Sequence, residues 1–252
     1  MPEIDAKFDG LAESYDRTRP RYPAELFGPV VESLRDTRSP LVVDAGAGTG
    51  IALETLLPLL PSTAAVHAVD ISSDMVTRGR SKFPDVHWMV GTAEDYLAER
   101  GSVDALIAAQ AYQWMDRARF LTLAGERLRA GGVLAIVQNN RNFGVGGFAE
   151  EYETLLEKRS PGYSRNYRSF DIEAELKEVF VKVTTTEISW AQAISVDDFV
   201  TMSSSSTQAQ RAIAATGLQF LDEVRALSEA HAVDGTVSLP YVSEGFYGWQ
   251  GL

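Results

Sequence analysis

Seven consecutive residues, Asp44-Ala45-Gly46-Ala47-Gly48-Thr49-Gly50, combine a carboxylate with three alternating glycines. A turn built this way lacks Cβ atoms where a ligand would pass and leaves backbone N–H groups free where a helix begins. Asp70 stands about 20 residues further on, the distance at which a carboxylate takes ribose hydroxyls in nucleotide-binding α/β folds. A third group with chemical potential is Tyr112-Gln113-Trp114. Its glutamine can orient a hydroxyl or a carboxylate but cannot take a proton at neutral pH.

Each group sits where a strand must hold it. Leu41 to Ala45 is a short apolar run that reads as a buried parallel strand, and Ala52, Leu53, Leu56 and Leu57 mark the following helix, which stops at Pro58 or Pro61. Further strands are expected at 65–69, ending in Asp70, then at 86–90, 103–108 and 133–137, with helices between them. Ser72 or Ser73 caps the second of these helices. This alternation predicts an open parallel sheet, and ligands of such sheets lie outside the carboxyl ends of the strands. Upstream, 24–36 reads as a covering helix opened by Pro23. Downstream, 139–147 reads as a loop, 148–159 and 171–179 as helices, and 181–190 as an outer strand. A short helix capped at Ser195, a long helix over 207–230 and a final strand over 235–243 complete the chain.

Composition narrows the chemistry. The 252 residues include 45% hydrophobic types, enough for one large globular unit. A formal charge of −12 opposes any polyanion, so a nucleic-acid partner is not expected. The chain has no cysteine, which removes disulfides, thiolate metal sites and cysteine nucleophiles. His67, His87 and His231 have no ligand-like spacing, so no metal is expected; the first two read as mid-strand residues too deep to act and the third as a structural or surface residue. No apolar run reaches membrane length, and the expected setting is cytoplasmic.

A loop of this kind serves NAD(P), FAD or S-adenosylmethionine. A dinucleotide pyrophosphate would meet the Asp44 carboxylate, and its usual glycine spacing is G-x-G-x-x-G, not the alternation seen here. A phosphate-free cofactor with a cationic amino-acid end tolerates that carboxylate. At this point the sequence resembles the class I S-adenosylmethionine-dependent methyltransferases, and within them the small-molecule branch of trans-aconitate-type and UbiE-like enzymes. The resemblance rests on Val42 to Gly50, Asp70, Thr92-Ala93-Glu94-Asp95, Gln113-Trp114 and Leu128-Arg129-Ala130-Gly131-Gly132. It also rests on the leader Phe8-Asp9, Tyr15-Asp16 and Arg19-Pro20-Arg21-Tyr22-Pro23, so that it spans about residues 8–137.

The resemblance implies a Rossmann-like fold: a mostly parallel seven-stranded sheet with helices on both faces and helical cover segments. It implies one domain over 1–252, with a helical leader at 1–40, a cofactor core at 41–138, acceptor-site covers at 139–170 and 191–206, and the rest of the fold at 171–190 and 207–252. It implies S-adenosylmethionine as cofactor, bound by Tyr15, Arg19, Asp44, Ala45, Gly46, Gly48, Gly50, Asp70, Ile71, Met75, Ala93, Glu94 and Gln110. Among these, Tyr15 and Arg19 would meet the cofactor carboxylate, Asp44 its amino group, Asp70 its ribose, and Ile71, Ala93 and Glu94 its adenine. Tyr112, Gln113 and Trp114 are the expected catalytic residues. A small-molecule acceptor, a carboxylate or a hydroxyl, would be received by Tyr22, Trp114, Arg141, Phe143, Tyr163, Tyr167 and Arg168. The related enzymes frequently carry His where this chain has Gln113, so the obvious base is missing. The alternatives are a protein that binds the cofactor without methyl transfer or catalyses another reaction, and a methyltransferase acting on protein or nucleic acid.

Overall fold

The computed structural model describes residues 12–165 and 170–251. In chain order its elements are α1 (Ala12–Thr18), α2 (Gly28–Ser33), β1 (Leu41–Ala45), α3 (Ile51–Leu56), β2 (Ala65–Asp70), α4 (Ser73–Lys82), β3 (His87–Val90), α5 (Ala93–Glu99), β4 (Val103–Ala109), α6 (Arg117–Arg127) and β5 (Leu128–Arg141). There follow α7 (Gly147–Arg159), α8 (Ile172–Lys177), β6 (Lys182–Ser195), α9 (Val196–Ser204), α10 (Thr207–Thr216), α11 (Gln219–His231) and β7 (Thr236–Trp249). The seven strands form one sheet in the order β3-β2-β1-β4-β5-β7-β6. Strands β1 to β5 pair in parallel, and β7 lies antiparallel to both β5 and β6. The expected α/β class, with its mostly parallel seven-stranded sheet, is what forms.

Alternation along the strands splits the core between the two faces. Val42, Ala105, Ile107 and Val133 pack with Leu26, Phe27, Leu53 and Leu56 on one face. Their neighbours Val43, Leu106, Leu134 and Ile136 pack with Tyr96, Leu97, Phe120 and Leu176 on the other. A sheet buried on both sides explains why these strands read as continuous apolar runs. The strand order reverses between β1 and β4, and a crevice opens there at the carboxyl ends.

Beyond that crevice stands a cap with its own core. Strand β4 ends at Ala109, opposite Val137, while β5 continues to Arg141, paired with Tyr241 of β7. The β6–β7 hairpin runs further still, to Ser195 paired with Thr236. On this extension pack Phe148, Tyr152 and Leu156 of α7, Phe199 and Met202 of α9, Ala209 and Ala212 of α10, and Phe220 and Val224 of α11. The result is a third apolar cluster, separate from the two that flank the sheet.

Several boundaries differ from the sequence-based expectation. The loop expected from 139 begins as strand, because β7 supplies hydrogen-bonding partners as far as Arg141. Strands β6 and β7 each reach 14 residues and outrun their expected ends at 190 and 243. The long helix of 207–230 is two helices, broken where Gly217 takes a φ of 75°. The covering helix of 24–36 is a 3₁₀ turn at Ala24–Phe27 followed by the short α2. His67 and His87 are not deep: they stand on neighbouring strands at one edge of the sheet with ring centroids 4.6 Å apart, and His87 is exposed.

Candidate active site

A cavity of about 720 Å³ fills the crevice between the carboxyl ends of the sheet and the cap. At one end the chain leaving β1 is pinned to β2, since Gly46 N and Ala47 N both donate to the Val69 carbonyl, at 2.8 and 3.0 Å. Gly48 N donates to Asp70 Oδ2 at 2.8 Å, and Ser72 N donates to Asp70 Oδ1 at 2.9 Å. Each oxygen of Asp70 is thereby fixed by a backbone N–H.

The three glycines have left-handed φ values of 73°, 56° and 81° but do different work. A Cβ on Gly46 would overlap the Ala111 methyl, and one on Gly50 would stand 2.9 Å from the Phe83 ring. A Cβ on Gly48 would meet nothing within 4 Å. Gly46 and Gly48 line the cavity; Gly50 and Ala45, expected as ligand contacts, do not. Gly50 turns the chain into α3 against Phe83 and Trp88, and Ala45 is buried in the core.

Asp44 is also absent from the cavity wall. Its carboxyl lies fully buried behind the loop, and neither oxygen has a hydrogen-bond partner in the protein. Burial, with the Asp70 charge adding to it, pushes this carboxyl up to about 7.

The leader is locked onto this end by an ionic cluster the sequence reading did not single out. Asp16 is buried and accepts from Thr49 Oγ1 at 2.9 Å, from Arg78 Nη2 at 3.2 Å and from Lys82 Nζ. Burial alone would raise this carboxyl, but the hydrogen bonds from Lys82, Thr49 and Arg78 outweigh it and hold it below the ordinary value. Lys82 also bonds Glu54, which pairs with Arg21 at 2.7 Å. The lock brings Tyr15, Arg19 and Tyr22 to the cavity. The Arg19 guanidinium lies over the Tyr15 ring, and its Nη2 donates to Ser205 O and Oγ, each at 3.2 Å. Its Nε is buried with no partner, and among the described residues no carboxylate pairs with it.

Ile71, Met75, Ala93 and Glu94 line the cavity at the ends of β2 and β3. Glu94 Oε1 accepts from Asp116 N at 2.8 Å, which ties the start of α5 to the chain after β4.

At the other end, Gln110 leaves β4 with a φ of 54°, a strained value for a residue with a Cβ. Its Nε2 donates to Asn139 O at 2.6 Å, and its own carbonyl accepts from Gln113 Nε2 at 2.8 Å. Gln113 Oε1 is buried and unpartnered. Trp114 also lines the cavity, half exposed. Tyr112 does not: it is turned into the core, with its ring against Phe120 and its hydroxyl donating to Glu175 at 2.5 Å. Burial and then the Glu175 carboxylate raise this phenol above its ordinary value. Tyr112 is therefore a packing residue, corrected from the expected catalytic set.

The cap completes the wall. Arg141 donates through Nε and Nη2 to Glu153 Oε1, at 2.8 and 2.6 Å, and Tyr163 Oη donates to Glu153 Oε2 at 2.6 Å. Arg141, Phe143 and Tyr163 thus reach the cavity as expected, with Glu153 as their unforeseen hub. In Glu150, Glu151, Glu153 and Glu157 the sequence offers four acids on one helix, and only tertiary contact singles out the third as this hub. Tyr167 and Arg168 lie outside the described residues. Among the described residues no cluster of three or more His, Asp or Glu side chains forms a metal site, and no helix is long and apolar enough to cross a membrane.

The residues fit S-adenosylmethionine. The loop offers an open backbone face at Gly48, a cavity-lining carboxylate in Asp70, and an unpartnered buried carboxyl in Asp44 that would oppose a pyrophosphate and favour a cation.

Comparison with known proteins agrees. Residues 42–132 match the family model described as a methyltransferase domain. An uncharacterized methyltransferase of Mycobacterium tuberculosis is 29% identical over 96% of this chain and 94% of its own length. The trans-aconitate 2-methyltransferase of Deinococcus radiodurans is 36% identical over 97 residues, 38% of this chain and 36% of that protein. A solved structure from Anaeromyxobacter dehalogenans, described as a type II methyltransferase, superposes with a TM-score of 0.68 at 24% identity, covering 92% of this chain and 97% of its own, which shows the fold. This domain match, the similarity to methyltransferases along nearly the whole chain and the shared fold together support a class I S-adenosylmethionine-dependent methyltransferase.

Proposed function

We propose that the chain transfers the methyl group of S-adenosylmethionine to a small organic acceptor, held between the β4–β5–β7 ends and the cap. The observation that carries this reading is the cavity itself. One end is lined by backbone and carboxylates suited to the cofactor, and the other is closed by side chains of α7, α9 and the β5–β7 extension. A roofed cavity admits a small molecule more readily than a polymer, and the overall charge of −12 disfavours nucleic acid. The D. radiodurans relative is named for a small-molecule acceptor, which supports the same class.

S-adenosylmethionine supplies an activated methyl when bound, so the protein's work is alignment and the exclusion of water. Gly48 gives the cofactor close access to the backbone, and Asp70 takes its ribose hydroxyls. Ile71 and Met75 flank the adenine, with Ala93 and Glu94 near its polar edge. Arg19, the cavity-lining arginine without a carboxylate partner among the described residues, takes the cofactor carboxylate together with Tyr15. Asp44 favours the amino group through its charge from behind the loop, and Gln110 holds the strand end that separates cofactor from acceptor. Gln113 and Trp114 then face the acceptor, with Tyr22, Arg141, Phe143 and Tyr163 around it. Gln113 orients the reacting group without accepting its proton.

Calorimetric titration with S-adenosylmethionine tests the first half of this reading, and absence of binding at ~1 mM overturns it. Transfer of label from the cofactor to a small-molecule mixture tests the second. Labelling of protein or nucleic acid alone would reject the acceptor class.

A further inference from the structure

We infer that the small-molecule acceptor carries a cationic nitrogen and that Glu244 of β7 is the group that recognises it. The inference rests on the reading of the cavity proposed above. Among the described residues three cations line that cavity, Arg19, Arg141 and Arg165. Each is matched by one carboxylate. Arg141 is bound by Glu153, and Arg165 donates through Nε and Nη2 to Glu157 Oε2, at 2.9 and 2.7 Å. Arg19 takes the cofactor carboxylate. The acids are matched differently. Asp70, Glu94 and Asp116 line the cofactor end and accept from backbone N–H groups, those of Gly48 and Ser72, of Asp116 and of Arg119 respectively. Glu244 stands at the other end, half-buried, and the side chain that bonds it is an amide: Asn140 Nδ2 donates to its Oε2 at 2.7 Å. Among the described residues no Arg, Lys or His pairs with Glu244, and its Oε1 is neither bonded nor sealed.

The sheet register adds a second, independent reason. Glu244 lies opposite Gln138 of β5 on one side and opposite Glu187 of β6 on the other. Like charges at directly paired positions destabilise a sheet, and among the described residues no cation relieves this pair. A cationic nitrogen brought in by the ligand does relieve it, through a charge-assisted hydrogen bond to the open Oε1. An anionic group in the same place would meet further repulsion, strengthened by partial burial. The strand order β1-β4-β5-β7 sets Glu244 two strand spacings, about 10 Å, from β4. That separation keeps the ligand's cation clear of the sulfonium, which lies over the β1 and β4 ends in the proposed reading. It also makes Glu244 a recognition group for a remote part of the acceptor, not the base for the methylated atom.

The test uses the full chain saturated with S-adenosylhomocysteine and three probes on one ring: benzylamine, benzyl alcohol and benzoate. Affinities are read by ligand-observed magnetic resonance up to about 10 mM, in wild type, Glu244→Gln and Glu187→Gln. Benzylamine should bind wild type more tightly than the alcohol or the carboxylate. It should lose about tenfold in Glu244→Gln, which keeps the side-chain shape and removes the charge, while affinities for benzyl alcohol and S-adenosylhomocysteine are unchanged. Glu187 is exposed and outside the cavity wall, so Glu187→Gln should cost benzylamine less than about threefold. Equal or tighter binding of the alcohol or the carboxylate, an unaltered amine affinity in Glu244→Gln, or no binding of benzylamine overturns the inference. So does an equal loss in both variants, which would trace the preference to the overall charge of −12 and not to this carboxylate. Failure of wild type to bind S-adenosylhomocysteine at all overturns instead the reading of the cavity on which the inference stands.

Discussion

At the β1–β3 end of the cavity, the ligand-facing groups are held by atoms close in the chain or on the next strand. Gly46 and Ala47 bond Val69, and Asp70 is fixed by Gly48 N and by Ser72 N two residues on. At the β4–β5–β7 end the anchors are distant side chains. Arg141 is held by Glu153 from α7, and Asn140 of β5 donates to Glu244 of β7, 104 positions away. The first arrangement is a preformed backbone cradle that any sequence keeping the turn will reproduce. The second is an assembly of side chains on a separately packed cap, open to change without disturbing the cradle. One cofactor with many acceptors is what such a division allows.

The largest effect expected to separate the two ends comes from the carboxyl behind the cradle. Asp44 titrates at 3.8 as an ordinary carboxyl and near 7 in the fold. Between those values the folded state holds a proton that the unfolded state has released. Stability therefore declines as pH rises from about 4 to about 7, and the deficit is complete above that. The shift corresponds to as much as about 4 kcal/mol. Asp44→Asn removes it, so the variant should melt higher than wild type at pH 8, and the gap should close towards pH 4. A difference between the two proteins that stays constant with pH contradicts the assignment.

On the cap side, Glu153→Leu leaves the Arg141 guanidinium in a largely buried position without its partner. Loss of one member of a buried pair costs 3–5 kcal/mol; Arg141 keeps 21% of its side-chain exposure, so a value of about 3 kcal/mol is expected in chemical denaturation. S-adenosylhomocysteine affinity should stay at the wild-type value. A fall in cofactor affinity equal to the fall in stability would erase the distinction between the two ends. The cradle gives the reverse pattern. Asp70→Ala removes a charge-assisted acceptor and should weaken S-adenosylmethionine by about 2 kcal/mol in calorimetry, roughly thirtyfold. An unchanged dissociation constant rejects the ribose role.

The same division explains what the sequence made legible. The parallel strands, the glycine loop, Asp70 and the Ser72 cap are local patterns with local causes, and the structure has each of them. Ser195 was legible as a cap for the same reason, since its hydroxyl accepts from Asp198 N. The extended hairpin was not. Ala191-Gln192-Ala193 carries no strand signal and is held as strand by its pairing with Ser238, Leu239 and Pro240. Gly248 looks like a breaker and is there because the Phe180 ring lies against it. Tyr112 misled for a related reason. It sits beside Gln113 in sequence, but the 3₁₀ turn at Tyr112–Trp114 sends it to the opposite face, towards Glu175 on α8. Glu153 and Asp16 acquire their roles only through partners that folding brings to them.

The smallest expected effect divides the cradle itself. Gly46 and Gly48 share a left-handed backbone, but only the Cβ of Gly46 collides with protein. In Gly48→Ala the new methyl points into open space, and the cost to the fold is the backbone term alone, about 1 kcal/mol. If the cofactor runs over this residue, the methyl occupies its path, and S-adenosylhomocysteine affinity should fall by more than the stability does. A variant that melts slightly lower and binds as well as wild type would show that the close approach lies elsewhere along the loop. Gly46→Ala separates the two causes, because there the collision with Ala111 lowers stability whether or not a ligand is present.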